Sequence, residues 1–431
     1  MPALDLPQLR RPRDRPEPPG SGSRQRRDVG AGRALEAASP RELRCLVAAF
    51  GDPGHVFPAL SLSRALAARG HQVVLETWPE WEELVRGEGV GFAPADGYQV
   101  FPPPRSGTPG GGEAAKALMP LLEDFRPDVV VNDVLTVAPA LAAERYGARR
   151  VTLVPHLFPE GGAGLPPFSI GAMPPRTGFG RKAWDLVGRF MEHGLRAGRD
   201  DLNAQRSVVG LPPTERFHGA TSQDLVLVAT LPQLENPDYL PERAWITGPM
   251  EFEPPHEEVN LPPGDDPLVV VAPSTSQDPE HRLVRATLEA LADQPVRVLA
   301  TTNRAGQTSG IDVPSNAVLY DWIRYSQVFP EASVVVCHGG HGTLARALGA
   351  GVPVLACPAA GDMNENGVRL AWSGAGLSLR WSLTGPTTIG WAVAELLAEP
   401  SFRERAGEIA RWAEENDGPD RGAKLIESLA G

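Results

Sequence analysis

Two short strings in the chain hold residues able to do chemistry. Gly51-Asp52-Pro53-Gly54-His55-Val56-Phe57-Pro58 follows an apolar run, Leu43 to Phe50, that reads as a strand. His338-Gly339-Gly340-His341-Gly342-Thr343 lies between a second such run, Ser333 to Cys337, and a helical stretch over 342–350. In open parallel sheets, ligands bind beyond the carboxyl ends of the strands, which is where both strings fall. The second string has the makings of an anion cradle. Glycine lets the backbone approach an anion closely, and the first N–H groups of a helix lack partners of their own. Thr343 adds a hydroxyl donor and His338 a ring N–H. This set suits a diphosphate held without lysine and without an obvious metal. The common nucleotide motifs do not fit. There is no GxxxxGK followed by Ser or Thr, and neither Gly30-Ala31-Gly32 nor Gly178-Phe179-Gly180 lies between a strand and a helix.

The surrounding pattern supplies elements to hold these strings. Gln72–Glu76, Asp128–Val131 and Arg150–Val154 read as further strands in the first half, with helices at Phe57–Arg69 and 138–146. The alternation restarts later. Leu268–Ala272, Val296–Thr301, Ala317–Tyr320, Ser333–Cys337 and Val352–Cys357 read as strands, with helices near 280–293, 342–350 and 364–373. Strands that are apolar on both faces and alternate with helices imply parallel sheets covered on both sides. The expected fold is α/β, with two Rossmann-like parallel-sheet domains facing across a cleft. The first spans 43–248 and the second 264–431, joined by a Pro-rich acidic linker at 249–263. Two Pro/Gly-rich loops, 102–112 and 159–180, interrupt the first domain.

Composition excludes several function classes. Net charge is −12 over 431 residues, so nothing favours coating nucleic acid. Arginine outnumbers lysine heavily; the three lysines are Lys116, Lys182 and Lys424. Cys45, Cys337 and Cys357 lie far apart in apolar runs with no metal spacing, so buried thiols in a reducing, cytoplasmic setting are expected. Residues 1–42 are rich in Pro and Arg and poor in aliphatics; they are expected to be disordered and contain no secretory core segment. No stretch reaches 18 apolar residues, so no spanning helix is expected.

At these residues the chain resembles the inverting family 1 glycosyltransferases, whose fold is called GT-B. The resemblance covers about 43–431. It is carried by Gly54–Pro58 with Ala65-Leu66-Ala67-Ala68-Arg69-Gly70-His71-Gln72-Val73, and by Trp322, the His338–Thr343 string, Gly351-Val352-Pro353, Pro358, Asp362 and Asn366. It implies transfer of a hexose or deoxyhexose from a UDP- or dTDP-sugar to a hydroxyl of a small, apolar acceptor, with no further cofactor and no metal; the alternatives are another GT-B activity on a lipid-linked or cell-wall acceptor, or a non-catalytic GT-B accessory protein. On the same ground His55 is expected to be the general base and Asp133 the carboxylate that orients it. His338, Gly340, Gly342 and Thr343 would hold the diphosphate, and Trp322 would stack on the base. Ser274 and Thr275 would face the phosphates, while Asp362, with Asn366 in register, would bind the sugar.

Three positions depart from the family pattern. Arg346 stands where a ribose-binding Glu is usual, Met363 where Gln usually follows the Asp, and Arg324 where Pro is common. These bear on the identity of the donor. Outside the motifs, His156 and His218 are candidates to face an acceptor. Phe158, Phe168, Phe179, Trp184, Phe190 and Met191 are candidates for an apolar acceptor wall.

Overall fold

The computed structural model describes residues 41–95, 110–162, 164–175, 177–235, 240–274, 277–303, 308 and 310–431. Nearly all of the N-terminal tail, most of the 102–112 loop and Thr275 fall outside that set. The first sheet contains β1 (Arg44–Ala48), β2 (Gln72–Thr77), β3 (Gly91–Pro94), β4 (Val129–Asp133), β5 (Arg149–Val154), β6 (Leu225–Val228) and β7 (Ala244–Ile246). Its order is β3-β2-β1-β4-β5-β6-β7, with every pair parallel. Five helices connect it: α1 (Pro53–Ala68), α2 (Glu82–Gly87), α3 (Gly111–Phe125), α4 (Val137–Tyr146) and α5 (Gly178–Val208).

The second sheet contains β8 (Leu268–Ala272), β9 (Arg297–Thr301), β10 (Ala317–Tyr320), β11 (Val334–Cys337), β12 (Val354–Ala356) and β13 (Gly376–Ser378). Its order is β10-β9-β8-β11-β12-β13, again all parallel. With it come α6 (Arg282–Leu291), α7 (Tyr325–Val328), α8 (His341–Gly349), α9 (Met363–Ser373), α10 (Pro386–Ala398), α11 (Pro400–Glu415) and α12 (Gly418–Ala430). The expected architecture of two parallel α/β sheets is what the chain forms.

Strand alternation sorts each core into two layers. In β1, Cys45 and Val47 face a layer with Leu60 and Leu66 of α1 and Ile426 of α12, while Leu46 faces Leu122 of α3 and Leu141 of α4. In β8, Val270 and Ala272 face α8, whereas Val269 and Val271 face α6 and α10. The three cysteines are free and buried in these layers, and burial pushes each thiol up to about 12, which leaves it inert.

The last helix packs on the first sheet. Arg69 forks onto both carboxylate oxygens of Glu427 at 2.8 Å and reaches Asp420 at 2.9 Å, and His71 Nε2 lies 2.9 Å from Glu427. A fork–fork arginine–carboxylate pair holds direction as well as charge. The Arg69 guanidinium holds the Glu427 carboxyl below the usual range.

The order of each sheet reverses at β1 and β8. β1 pairs with both β2 and β4, and β8 with both β9 and β11. Such a switch point opens a crevice at the strands' carboxyl ends. The first string follows β1, Asp133 ends the adjacent β4, and the glycine string follows β11.

Candidate active site

α1 begins earlier than periodicity implied. Its first residue is Pro53, and the Asp52 side chain caps it by accepting from Gly54 N at 3.0 Å. A capping Asp and a Pro at the first position together fix a helix start. His55 therefore stands on the first turn of a helix rather than in a loop. Its Nδ1 lies 2.8 Å from Asp133 Oδ2 across 78 residues of sequence. The Asp133 side chain is fully buried and its other oxygen accepts from Leu135 N at 2.8 Å. The carboxylate thus fixes the Nδ1–H tautomer, which leaves the Nε2 lone pair of His55 unprotonated. Burial works against a charged ring, but the charge and hydrogen bond of Asp133, with Asp52 and Asp362 further off, outweigh it. The pKa of His55 is held above its ordinary value.

The opposite wall is the glycine string. Gly340 caps α8 and, among the described residues, no side chain makes the cap hydrogen bond, which leaves the N–H groups of the first turn available to a ligand. Gly339 has φ of +83°, and a Cβ on Gly340 would lie 2.2 Å from His338 Nε2, so neither position admits a side chain. His338 is turned differently from expectation. Its Nδ1 faces the Ala272 carbonyl at 3.2 Å, so that nitrogen carries the proton and Nε2 has none to give while the ring is neutral. Burial holds the His338 pKa low, which keeps the ring neutral.

Between the walls lies a cavity of about 310 Å³. His55, Ser274, Trp322, His338, Gly340, Gly342, Thr343 and Asp362 all line it, as do Met363 and Arg346. Asp133 stands behind His55. Asn366 stands behind Asp362 and is buried; its Nδ2 donates to Gly339 O at 3.0 Å and Asp362 Oδ2 at 3.3 Å. It braces the glycine turn and Asp362 from within. Thr275 lies outside the described residues.

His156 joins the site and His218 does not. His156 lines the cavity, with its ring edge-on to His55 at 6.1 Å and stacked on Phe168 at 5.8 Å. Burial and the neighbouring His55 lower its pKa. Of the proposed apolar wall, Phe158 and Phe168 sit beside a small adjoining cavity, while Phe179, Trp184, Phe190 and Met191 lie on α5 and line neither. Sequence reasoning missed His341 as a site residue although it stands in the quoted string. It lines the cavity, its Nε2 faces the Ala229 carbonyl of the first domain at 3.3 Å, and burial drives its pKa down to about 4. Among the described residues no group of three His, Cys, Asp or Glu side chains is placed to hold a metal ion.

The sequence matches two known families. Residues 45–152 match the glycosyltransferase family 28 N-terminal domain, and residues 285–429 the erythromycin biosynthesis protein CIII-like C-terminal domain. Over 420 residues it is 27% identical to 4'-demethylrebeccamycin synthase of Lentzea aerocolonigenes, covering 90% of this chain and 99% of that one. The fold is shared with the glycotransferase of kitacinnamycin, at a TM-score of 0.72 and 23% identity over 90% of this chain and 99% of that one. It is shared also with the glycosyltransferase VinC, solved in complex with dTDP, at a TM-score of 0.68 and 21% identity over 90% and 99%.

The chain is a glycosyltransferase of the GT-B fold.

In this glycosyltransferase the departure at Arg346 has a structural partner. Its guanidinium bonds Glu251 at 3.1 Å, Glu253 at 2.8 Å and the Phe252 carbonyl at 3.3 Å, all on the segment that joins the two sheets. Glu253 also accepts from the backbone of Tyr325 and Ser326. A carboxylate thus reaches the cavity wall from the linker rather than from α8. Met363 opens α9 next to Asp362 and places a thioether at the cavity lining.

Proposed function

We propose that this glycosyltransferase moves a hexose or deoxyhexose from a nucleoside diphosphate sugar to a hydroxyl of a small, apolar, natural-product-like acceptor, with inversion at C1. The reading is carried by one observation: His55, held at Nδ1 by buried Asp133, faces across a single cavity the helix start made by Gly340–Thr343. The similarity to 4'-demethylrebeccamycin synthase supports the acceptor class, and the dTDP complex of VinC supports the donor class.

The hydroxyl oxygen of the acceptor attacks C1 of the sugar, and its proton passes to Nε2 of His55. A hydroxyl is a poor nucleophile at neutral pH, so this general base lowers the barrier by removing the proton as the bond forms. The imidazolium that results is balanced by the Asp133 carboxylate, as in a base–orienter pair with the substrate as nucleophile. The C1–O bond to the diphosphate breaks and its electron pair leaves with the phosphate. The N–H groups of the first turn of α8 and the Thr343 hydroxyl receive that charge, and fixed dipoles of this kind stabilise a developing anion strongly. Because base and anion cradle stand on opposite walls, attack comes from the face opposite the leaving group, which inverts the centre.

The test is a thermal-shift panel of UDP- and dTDP-sugars followed by NMR of the product. A binder raises the melting temperature in proportion to its occupancy of the native state. The expected outcome is stabilisation by one nucleotide class and a product with the opposite anomeric configuration to the donor. Retention of configuration would overturn the single-displacement mechanism.

A further inference from the structure

The N-terminal half of α5 is out of keeping with the rest of the molecule. Phe179, Leu186, Val187, Phe190, Met191 and Leu195 are all large, apolar and exposed, Phe179 at 84%, Phe190 at 77% and Leu186 at 56%. The other end of the helix is anchored: Gln205 accepts from Gly112 N at 2.9 Å, and Arg206 forks onto Glu144. At 100° per residue the six apolar side chains and Trp184 occupy about half of the helix circumference. The remaining half carries Arg181, Lys182, Arg189 and Arg196 against Asp185 and Glu192. A contiguous exposed apolar face of this kind marks an interaction site.

The dimensions and charge select one occupant. A coiled-coil partner would need only a narrow seam, whereas this face is as wide as the half-cylinder that an interfacial helix buries. Its first eighteen residues extend about 27 Å. Four cations oppose two acids on the polar half, a local surplus of positive charge on a chain whose net charge is −12. Apolar residues below and cations above are the complement of an anionic bilayer surface, into which aromatic and aliphatic side chains dip while arginine and lysine reach the headgroups. The apolar surface also continues toward the cavity. Ile170 and Met173 are exposed on the segment leading into α5, and Phe168 on that segment stacks on His156 at the cavity wall.

We propose that the N-terminal half of α5 seats this protein on an anionic lipid surface, with the route from bilayer to cavity passing Met173, Ile170 and Phe168. The apolar acceptor then reaches the site from the lipid phase.

The experiment is flotation of the full chain with vesicles of phosphatidylcholine alone and of phosphatidylcholine with phosphatidylglycerol, alongside light scattering in the absence of lipid. Flotation is expected with the anionic vesicles, weakening with salt because part of the attraction is screened. The double variant Phe179→Ser with Phe190→Ser is expected to lower binding about tenfold or more, since it removes two of the aromatic contacts. Arg181→Glu with Arg189→Glu is expected to abolish the preference for anionic vesicles. All four side chains are exposed, and circular dichroism verifies that the variants fold. Absence of flotation with either vesicle, or flotation that both variants leave unchanged, overturns the proposal. A dimer in solution that the aromatic variant dissociates assigns the face to a second copy and overturns it equally.

Discussion

His55 of the first domain and the two cavity histidines of the second are in opposite electrostatic states, and His156 of the first domain is lowered like the latter. On the first domain, His55 has a buried carboxylate at 2.8 Å and its pKa is held up. On the second, His338 and His341 each face a backbone carbonyl and burial holds their pKa values down, His341 to about 4. A ring prepared to take a proton needs a counter-charge waiting for it. A ring beside an anion site needs none, because the ligand brings the charge. On the proposed mechanism this difference separates the work of the two domains: the first would move a proton and the second would hold a diphosphate.

The largest expected effect comes from removing the first wall's base. His55→Ala is expected to lower kcat by roughly 10²–10⁴, the usual share of general-base catalysis, with nucleoside diphosphate affinity nearly unchanged. Stopped assays of turnover and calorimetry on one preparation check both halves; full turnover would remove His55 from the reaction.

His338→Ala probes the other wall. Loss of one charge-assisted hydrogen bond is expected to weaken nucleoside diphosphate binding about 10-fold or more. The neutral ring of His338 has spent its proton on the Ala272 carbonyl, so it reaches a phosphate through Nε2 only by taking up another. Its pKa is depressed when free and raised by the bound anion, so affinity is expected to increase as pH falls between those two values. Calorimetry in buffers of different ionisation enthalpy measures the proton directly, and the uptake should shrink in His338→Ala. EDTA is expected to leave activity intact; strict dependence on a divalent cation would contradict the cradle.

A smaller effect is expected at the donor sugar. Met363 offers no hydrogen bond where it lines the cavity beside Asp362. A hydroxyl left facing a thioether costs about 1–3 kcal/mol, which a deoxygenated or methylated sugar avoids. A deoxyhexose donor is therefore expected to exceed a glucose donor by about 10-fold in kcat/KM, with Met363→Gln shifting the ratio toward glucose. Equal values in the wild type, or no shift in the variant, would sink the idea.

Much of this was legible in sequence because the relevant elements are short and uniformly apolar. β8 falls where the run Leu268–Ala272 places it, since a strand buried on both faces needs no alternation, and the half-buried edge strand β10 coincides with the apolar run Ala317–Tyr320. Edge strands β7 and β13 have three residues each and include Trp245 and Gly376, too little pattern to stand out. α5 was hidden by its own glycines. Gly178 and Gly180 read as loop, although Thr177 caps the helix by accepting from Gly180 N at 3.1 Å. In the site, the two strings were visible as chemistry at strand ends. What sequence could not give was direction. That Asn366 points inward to brace Gly339, that His338 spends its ring N–H on Ala272, and that Arg346 turns to the linker carboxylates all depend on packing between segments distant in the chain.

The most direct test of the first wall's role is the pH dependence of kcat/KM in the wild type and in Asp133→Asn. On the proposed mechanism the reaction needs the neutral ring of His55, so the rate is predicted to fall as pH drops through the pKa of that ring. Asp133 holds this pKa above its ordinary value, so the acid limb of the wild type is predicted to lie at higher pH than that of a free imidazole. Asp133→Asn removes the carboxylate charge, so its limb is predicted at lower pH, with a reduced plateau. A profile flat down to pH 5, or a limb that Asp133→Asn leaves in place, would contradict a proton transfer to His55 governed by Asp133.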